Sequence, residues 1–569
     1  MFFHYTKNNL NFFSILEDKM NEYNVGDLIS DFLFENDLKT VFGVVSVHNI
    51  PILDAIAKRN LIKFVPARGE MGAGHMADGF ARSSDKVGVV ITSTGPGAAN
   101  VVGSLVEARF AGTPLLHITG QTATENLDKN QGTVHDVPNQ LEMMKSVSKN
   151  AYRISSPKKV IEVLEKALEE AMTPPTGPVS IEVPIDIQRT VINRHEIFNK
   201  VIVNDRNIFL GNLNSLDLIE EEIRKSKRKI LWIGNGGKKL TSEVEKFIDL
   251  GFAVITSTQG RGVIDENHEM CLGSFNAIPK VEKFYSSLDL MIVVGSRLRG
   301  HETKDMSLKL PDNLIQIDID PNAENRTYPS KIFHLGDGKK VLENLYERLD
   351  DIKNIDKNWI HEVKSLKKEI KKDYKEFLKI YGEFPEIIER NLPKNARWIR
   401  DVTISNSTWG NRLMPVQKWY QNIYPVGAGI GPGMSLGIGA SLATEEKVKS
   451  IAMCGDGGFM LNVSELWTAV EINSNIIFMV MNDKGYGVIK HIQDSLYGGR
   501  RNFADLQVPN FKELSDTVKI KYLIVKSSSD FEKNLKKAFN LPGPVLLEID
   551  INSIGELPRY FIPPPFTEK

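Results

Sequence analysis

The amino-acid sequence predicts an α/β protein made of three doubly wound parallel-sheet domains. Short apolar runs of strand length recur along its 569 residues, each is followed by glycine-rich or polar turn residues, and helical periodicity fills the intervals. Continuous apolar runs mark parallel strands, because crossover helices cover both faces of such a sheet. A chain of this length holds about three domains of ordinary size.

The first unit spans 20–193, with strands expected in KTVFGVV, LIKFVPA, KVGVVITS, TPLLHITG and PVSIEVP. The second spans 208–350, with KRKILWIGNG, GFAVITST, LDLMIVVGS and NLIQIDID. Between them and the third unit, residues 351–384 are densely charged but carry spaced Trp359, Ile360, Val363, Leu366 and Ile370, which predicts a surface helix joining domains. The third unit, 385–569, has strands expected in KSIAMCGDG, NIIFMVMND, YLIVKS and PVLLEIDI. Residues 1–19 mix aromatics with Lys, Asn and acids and read as a poorly ordered extension. The terminal PRYFIPPPF is expected to wrap over the surface as a tail, since its prolines lack amide donors.

Lys plus Arg number 71 against 72 Asp plus Glu, so no global field attracts nucleic acid or an acidic membrane. A small-molecule enzyme suits this balance. The two cysteines, Cys271 and Cys454, are too far apart to make a metal-ligand motif and read as small buried apolar residues in a reducing compartment. With neither an apolar run of about 20 residues nor a secretory signal, the expectation is a cytoplasmic protein with no membrane partner.

Chemistry concentrates in GDGGFMLNVSELWTAVEINSNIIFMVMNDKGYG, 455–487. KSIAMC is a strand ending at GDGG, a helix follows, and NIIFMVM is a second strand ending at Asp483. Parallel strands emerge on the same carboxyl edge, so Asp456 and Asp483 can converge. Two hard oxygen ligands suit Mg²⁺ or Ca²⁺, while Gly455, Gly457, Gly458 and Gly487 let backbone amides approach phosphate oxygens. The segment reads as a metal and diphosphate clamp.

At this spacing the segment resembles the motif of thiamine-diphosphate-dependent enzymes: GDG, a helix, a strand, then an Asn-Asn or Asn-Asp pair. The resemblance implies Mg²⁺ held by Asp456, Asp483 and the carbonyl of Gly485, with Tyr486 beside the cofactor. Many relatives have Asn where this chain has Asp483, which alters the charge of the site. RGEMGAGHMADGFAR resembles the segment whose glutamate, here Glu70, exchanges a proton with the aminopyrimidine ring. Taken alone, Glu70 could equally be a helix-start acid stabilised by the macrodipole. STGPGAAN and TGQ resemble loops around the pyrimidine. ISNSTWGN offers Ser405, Asn406 and Ser407 as hydrogen-bond donors to the diphosphate. GAGIGPG places Ile430, beside Gly429, where relatives carry the apolar wedge that bends the cofactor; the competing reading of Ile430 is plain core.

The order pyrimidine-binding, central and diphosphate-binding domain is similar to that of the acetolactate synthase, benzoylformate decarboxylase, benzaldehyde lyase and oxalyl-CoA decarboxylase group. It implies a homodimer or homotetramer with active sites at the subunit interface. Gln131 matches an active-site glutamine of acetolactate synthase. His301 and Ile492 depart from that enzyme's pattern, so FAD, ADP or neither remains open for the central domain. VFGVVSVH matches a benzaldehyde lyase segment, which makes His48 a proton shuttle or a structural histidine. His135 and His491 are further candidates. The expected reaction is cleavage or formation of a carbon–carbon bond next to a carbonyl of a small molecule, by decarboxylation of a 2-oxo acid with carboligation as an option. A non-decarboxylating 2-hydroxy ketone lyase or carboligase, an FAD oxidase and a non-catalytic cofactor-binding relative are the alternatives.

Overall fold

A computed structural model describes residues 22–194, 198–203, 208–352, 355–444 and 448–559. The extension 1–19 and most of PRYFIPPPF lie outside the described residues. Three parallel sheets form the framework. The first contains β1 (Thr40–Gly43), β2 (Lys63–Pro66), β3 (Gly88–Thr92), β4 (Leu115–Gln121), β5 (Asn150–Arg153) and β6 (Pro178–Pro184), in the order β2-β1-β3-β4-β6-β5. The second contains β7 (Lys229–Ile233), β8 (Phe252–Thr256), β9 (Leu290–Val294), β10 (Leu314–Asp318) and β11 (Ile332–Leu335), in the order β11-β10-β9-β7-β8. The third contains β12 (Trp398–Arg400), β13 (Asn422–Ile423), β14 (Ser450–Gly455), β15 (Ile476–Asn482), β16 (Lys521–Val525) and β17 (Val545–Asp550), in the order β13-β12-β14-β15-β17-β16.

Each apolar run singled out above is a strand, and most of their residues are buried on both faces. Strands β5, β11, β12 and β13 were not foreseen. Three are edge strands, half-exposed or only two residues long, and β12 has three residues, so none carries a long apolar run. The linker helix Lys357–Leu378 buries Trp359, Val363 and Ile370 against the central domain. Trp359 stacks on Phe284 at 5.3 Å and donates to the Gly251 carbonyl at 2.9 Å. Ile360 and Leu366 are only half-buried, on the flanks of that face.

The first and third domains share one hydrophobic core, formed where helix Glu70–Ser84 crosses helix Pro432–Ser441. Glycines allow the approach: a Cβ at Gly439 would lie 1.8 Å from the Met76 carbonyl oxygen, and one at Gly79 would lie 2.1 Å from that of Leu436. A buried ion cluster closes the seam. Arg82 pairs with Asp78 and with Glu107, at 2.8 Å for the latter, and Glu107 also accepts from the amides of Val426 and Gly427 at 2.6 and 2.8 Å.

Candidate active site

In the third sheet the chain leaves β12 toward β13 on one side and leaves β14 toward β15 on the other, so a crevice opens between the carboxyl ends of β12 and β14. The turn after β12 brings Thr403 and Ser405 to it, and the turn after β14 brings Gly455, Gly457 and Gly458. Asp483 and Gly485 arrive from the end of β15. Together with Ser407, Ile430, Tyr486 and Gly487 these residues line a cleft of about 1080 Å³, to which the central domain adds His301.

Asp456 is fully buried, between the cleft-lining Gly455 and Gly457, and Asp483 packs beside it. Asp456 Oδ2 accepts from the Gly485 amide at 3.0 Å, while Oδ1 has no hydrogen-bond partner among the described residues. Burial, and then the charge of Asp483, push the Asp456 carboxyl up to about 7; burial also raises that of Asp483. Glycines make this fit possible. A Cβ at Gly487 would lie 2.3 Å from Asp483 Oδ2, and one at Gly457 would lie 2.7 Å from the Tyr486 ring.

The donor set fits a hard divalent cation and a diphosphate. A buried carboxylate with an unused oxygen stands beside a half-buried one, and a cation would neutralise the pair. Among the described residues no group of three or more His, Cys, Asp and Glu side chains is arranged for a metal. A protein-derived set at this place therefore needs a backbone carbonyl as well, and Gly485 stands in the cleft wall to offer one. The Ser405 hydroxyl is buried without a partner among the described residues and lines the cleft with Gly455 and Gly458.

Not every expected contact forms. Asn406 is buried outside the cleft wall, and its carboxamide oxygen accepts from Arg400 at 3.1 Å, so that oxygen is committed to the interior. Gly429 faces open space, with nothing within 4 Å of a Cβ built there, while Ile430 stands 40% exposed in the cleft, which argues against the plain-core reading. His491 also lines the cleft. Sequence reasoning missed Asp401, buried after β12, whose carboxylate accepts from the Gly431 amide at 2.9 Å and whose titration burial pushes up to about 7. Its only signal was an acid directly after the short run Trp398-Ile399-Arg400.

The first sheet has its own switch point, between β1 and β3. The loop after β1 carries His48, the loop after β3 carries Ser93 to Gly97, and Glu70 opens the helix Glu70–Ser84. Asn100 donates to Glu70 Oε2 at 3.1 Å, and a Cβ at Gly97 would touch both Glu70 Oε1, at 3.0 Å, and Ser93. The His48 and His135 rings lie 5.2 Å apart, and His135 Nδ1 is 3.4 Å from Ser93 Oγ. Burial, then the neighbouring His135, depress the His48 pKa, and its Nδ1 has no partner among the described residues. Gln131 is exposed on the loop after β4. Behind these loops Gln140, unremarked in the sequence, accepts from the Gly95 amide at 2.6 Å and donates to buried Glu182 at 2.9 Å. No residue of 22–193 lines the diphosphate-side cleft.

A second cleft, of about 370 Å³, lies at the switch point of the central sheet between β7 and β9. Asn235, Lys238, Arg297, Asp318 and Arg326 line it, and the Gly236 amide donates to the Gly295 carbonyl at 2.9 Å. Burial lowers the Lys238 pKa to about 7 and raises that of Asp318 to about 6.

Comparison with known proteins defines the class first. The chain matches, in order, the thiamine pyrophosphate enzyme N-terminal TPP binding domain over residues 23–143, the central domain over 216–345 and the C-terminal TPP binding domain over 404–549. Similar proteins span nearly the whole chain. A "Probable acetolactate synthase large subunit" of Methanococcus aeolicus is 30% identical over 551 residues, covering 91% of this chain and 90% of the relative. The mitochondrial acetolactate synthase catalytic subunit of Saccharomyces cerevisiae is 25% identical, covering 93% and 80%. A "Probable 2-ketoarginine decarboxylase" of Pseudomonas aeruginosa is 26% identical, covering 92% and 93%. The chain belongs to the thiamine-pyrophosphate-dependent enzymes of the acetolactate synthase group.

Proposed function

We propose that this enzyme uses thiamine diphosphate and Mg²⁺ to break or make a carbon–carbon bond next to a carbonyl, by decarboxylating a 2-oxo acid and passing the two-electron fragment to a proton or a second carbonyl. The carrying observation is the pair of buried Asp456 and cleft-lining Asp483, with the unused Asp456 Oδ1, at the switch point of the third sheet. Thiamine diphosphate, when bound, supplies the electron sink for the bond-breaking step.

In this reading residues 20–193 bind the pyrimidine, 208–350 form the central domain, 351–384 link the domains, and 385–569 bind the diphosphate. Asp456, Asp483 and the Gly485 carbonyl hold the metal. Ser405 and Ser407 would donate to phosphate oxygens, Gly455, Gly457, Gly458 and Gly487 would keep the wall close, and Tyr486 would pack against the cofactor. Ile430 would meet it as an apolar wedge. Glu70 holds a proton at the ring nitrogen, and His48 moves one at the substrate oxygen, near neutral pH. Gln131 orients the substrate.

Support for a homodimeric or homotetrameric assembly comes from the separation of the two halves: Glu70 and His48 stand outside the cleft of their own chain. Apolar side chains are exposed in both cofactor-binding domains, Val45, Val47 and Met71 in the first and Leu461 and Trp467 in the third. A second copy would cover them. The central cleft, with its glycine turns and cations, suits the phosphates of FAD or ADP, and a visible spectrum of the purified protein separates the two. A cytoplasmic location is proposed from the two buried, unpaired thiols. Among the described residues no helix is long and apolar enough to cross a membrane.

CO₂ release from a panel of 2-oxo acids, with thiamine diphosphate and Mg²⁺ present, tests the reaction. Release from none of them, together with cleavage of 2-hydroxy ketones, would replace decarboxylation by the lyase reading.

A further inference from the structure

The helix that begins at Glu70 has no cap of its own. Its N-cap residue is Gly69, which offers no side chain to the amides that open the helix. The turn directly before the helix is held instead by an acceptor 397 residues away. Glu465, in the diphosphate-binding domain, sends Oε1 to the amides of Arg68 and Gly69 at 3.1 and 3.0 Å, and its Oε2 lies 3.2 Å from the Arg68 amide. Thr468 Oγ1 donates to Oε2 at 2.7 Å. Gly72 makes room one turn into the helix, where a Cβ would lie 2.3 Å from Glu465 Oε1.

Glu465 is 1% exposed and forms no ion pair among the described residues; the Arg68 guanidinium turns away to Glu471. A buried carboxylate without a cation is costly unless amide donors surround it. Here the donors are the two amides directly before Glu70.

We propose that Glu465 is a positioning residue: it grips the Arg68–Gly69 turn from the opposite domain and thereby sets where the Glu70 carboxylate stands. The inference rests on the reading of Glu70 as the group that meets the aminopyrimidine. Glutamine at 465 would turn an NH₂ toward amide donors and lose part of the grip. A carboxylate misplaced by an ångström at a proton-transfer site costs far more in rate than in binding. The diphosphate and metal ligands, on separate turns, are untouched.

The test uses the full chain carrying Glu465→Gln, Glu70→Gln, both together, and Thr468→Val. In the cofactor-free protein, amide hydrogen exchange at Arg68 and Gly69 is expected to accelerate at least about tenfold in Glu465→Gln, with other segments unchanged. With thiamine diphosphate bound, exchange of the cofactor C2 hydrogen is expected to slow about tenfold while cofactor affinity stays within about twofold. The double variant is expected to be no slower than Glu70→Gln alone, since both act through one carboxylate. Parental C2 exchange in Glu465→Gln, or additive losses in the double variant, overturns the proposal. If Glu465→Gln fails to fold, Thr468→Val carries the test: a smaller loss in the same direction supports it and a parental rate overturns it. A parental rate in Glu70→Gln refutes the role of Glu70 itself, a separate outcome.

Discussion

At the residue scale, the acids Asp456 and Asp483 are not equivalent. Asp456 is fully buried and Asp483 lines the open cleft. Asp483→Asn keeps an oxygen ligand and removes one charge, so turnover at saturating Mg²⁺ is expected to persist while the Mg²⁺ needed for half-saturation rises on the order of tenfold. Asp456→Ala removes the fully buried carboxylate beside Asp483 and is expected to abolish activity, both read by titrating Mg²⁺ against rate. Glu70→Gln is expected to lower kcat on the order of a hundredfold or more with cofactor still bound. A different buried group carries a pH dependence. His117 is fully buried on β4, with Thr92 Oγ1 and Ser180 Oγ at 2.9 and 3.0 Å, and burial depresses its pKa from 6.5 to about 3. Below pH 6.5 the unfolded chain takes a proton that the folded chain refuses. Its contribution to stability is therefore present above that pH and is lost as pH falls toward 3, by about 1.4 kcal/mol per pH unit. His117→Gln is expected to flatten the fall in unfolding free energy between pH 6 and 4, measured by denaturant titration.

At the scale of elements, the crossing of helices Glu70–Ser84 and Pro432–Ser441 ties the two cofactor-binding domains of one chain together. The glycines there face backbone carbonyls, which have nowhere to retreat. Gly439→Ala is expected to cost about 3 kcal/mol or more of stability, because its Cβ would stand 1.8 Å from the Met76 oxygen. Gly429→Ala, with nothing within 4 Å, is the control and is expected to change the denaturation midpoint little. Strands buried on both faces were legible as apolar runs, and GDGG followed by MNDKGYG was legible as a pair of turns on one edge. Strands β5, β11, β12 and β13 were not, since short or edge strands take their residues from neighbours rather than from their own pattern. Asn406 illustrates the same limit inside the site. Its neighbours Ser405 and Ser407 reach the cleft, yet its carboxamide oxygen is held inward by Arg400, and no spacing rule distinguishes the three.

At the scale of the whole molecule, Glu70 and His48 lie outside the cleft that Asp483 and Gly485 line. Complementation tests whether two copies join them. Glu70→Gln and Asp456→Ala chains, each inactive alone, would form hybrid dimers with one intact site; mixing them by co-refolding is expected to restore about a quarter of parental activity. No recovery, with hybrids present by mass spectrometry, would place both halves of each site in one chain. The sequence by itself determined the three parallel sheets and the family, because buried strands and glycine-rich turns need particular residues at particular spacings. Tertiary structure alone decided which side chains face the cleft, that Glu107 and Glu465 grip loops in the opposite domain, and that Glu70 stands outside the cleft that Asp483 lines. Those contacts join residues hundreds of positions apart, and only the packing of the domains sets their distances.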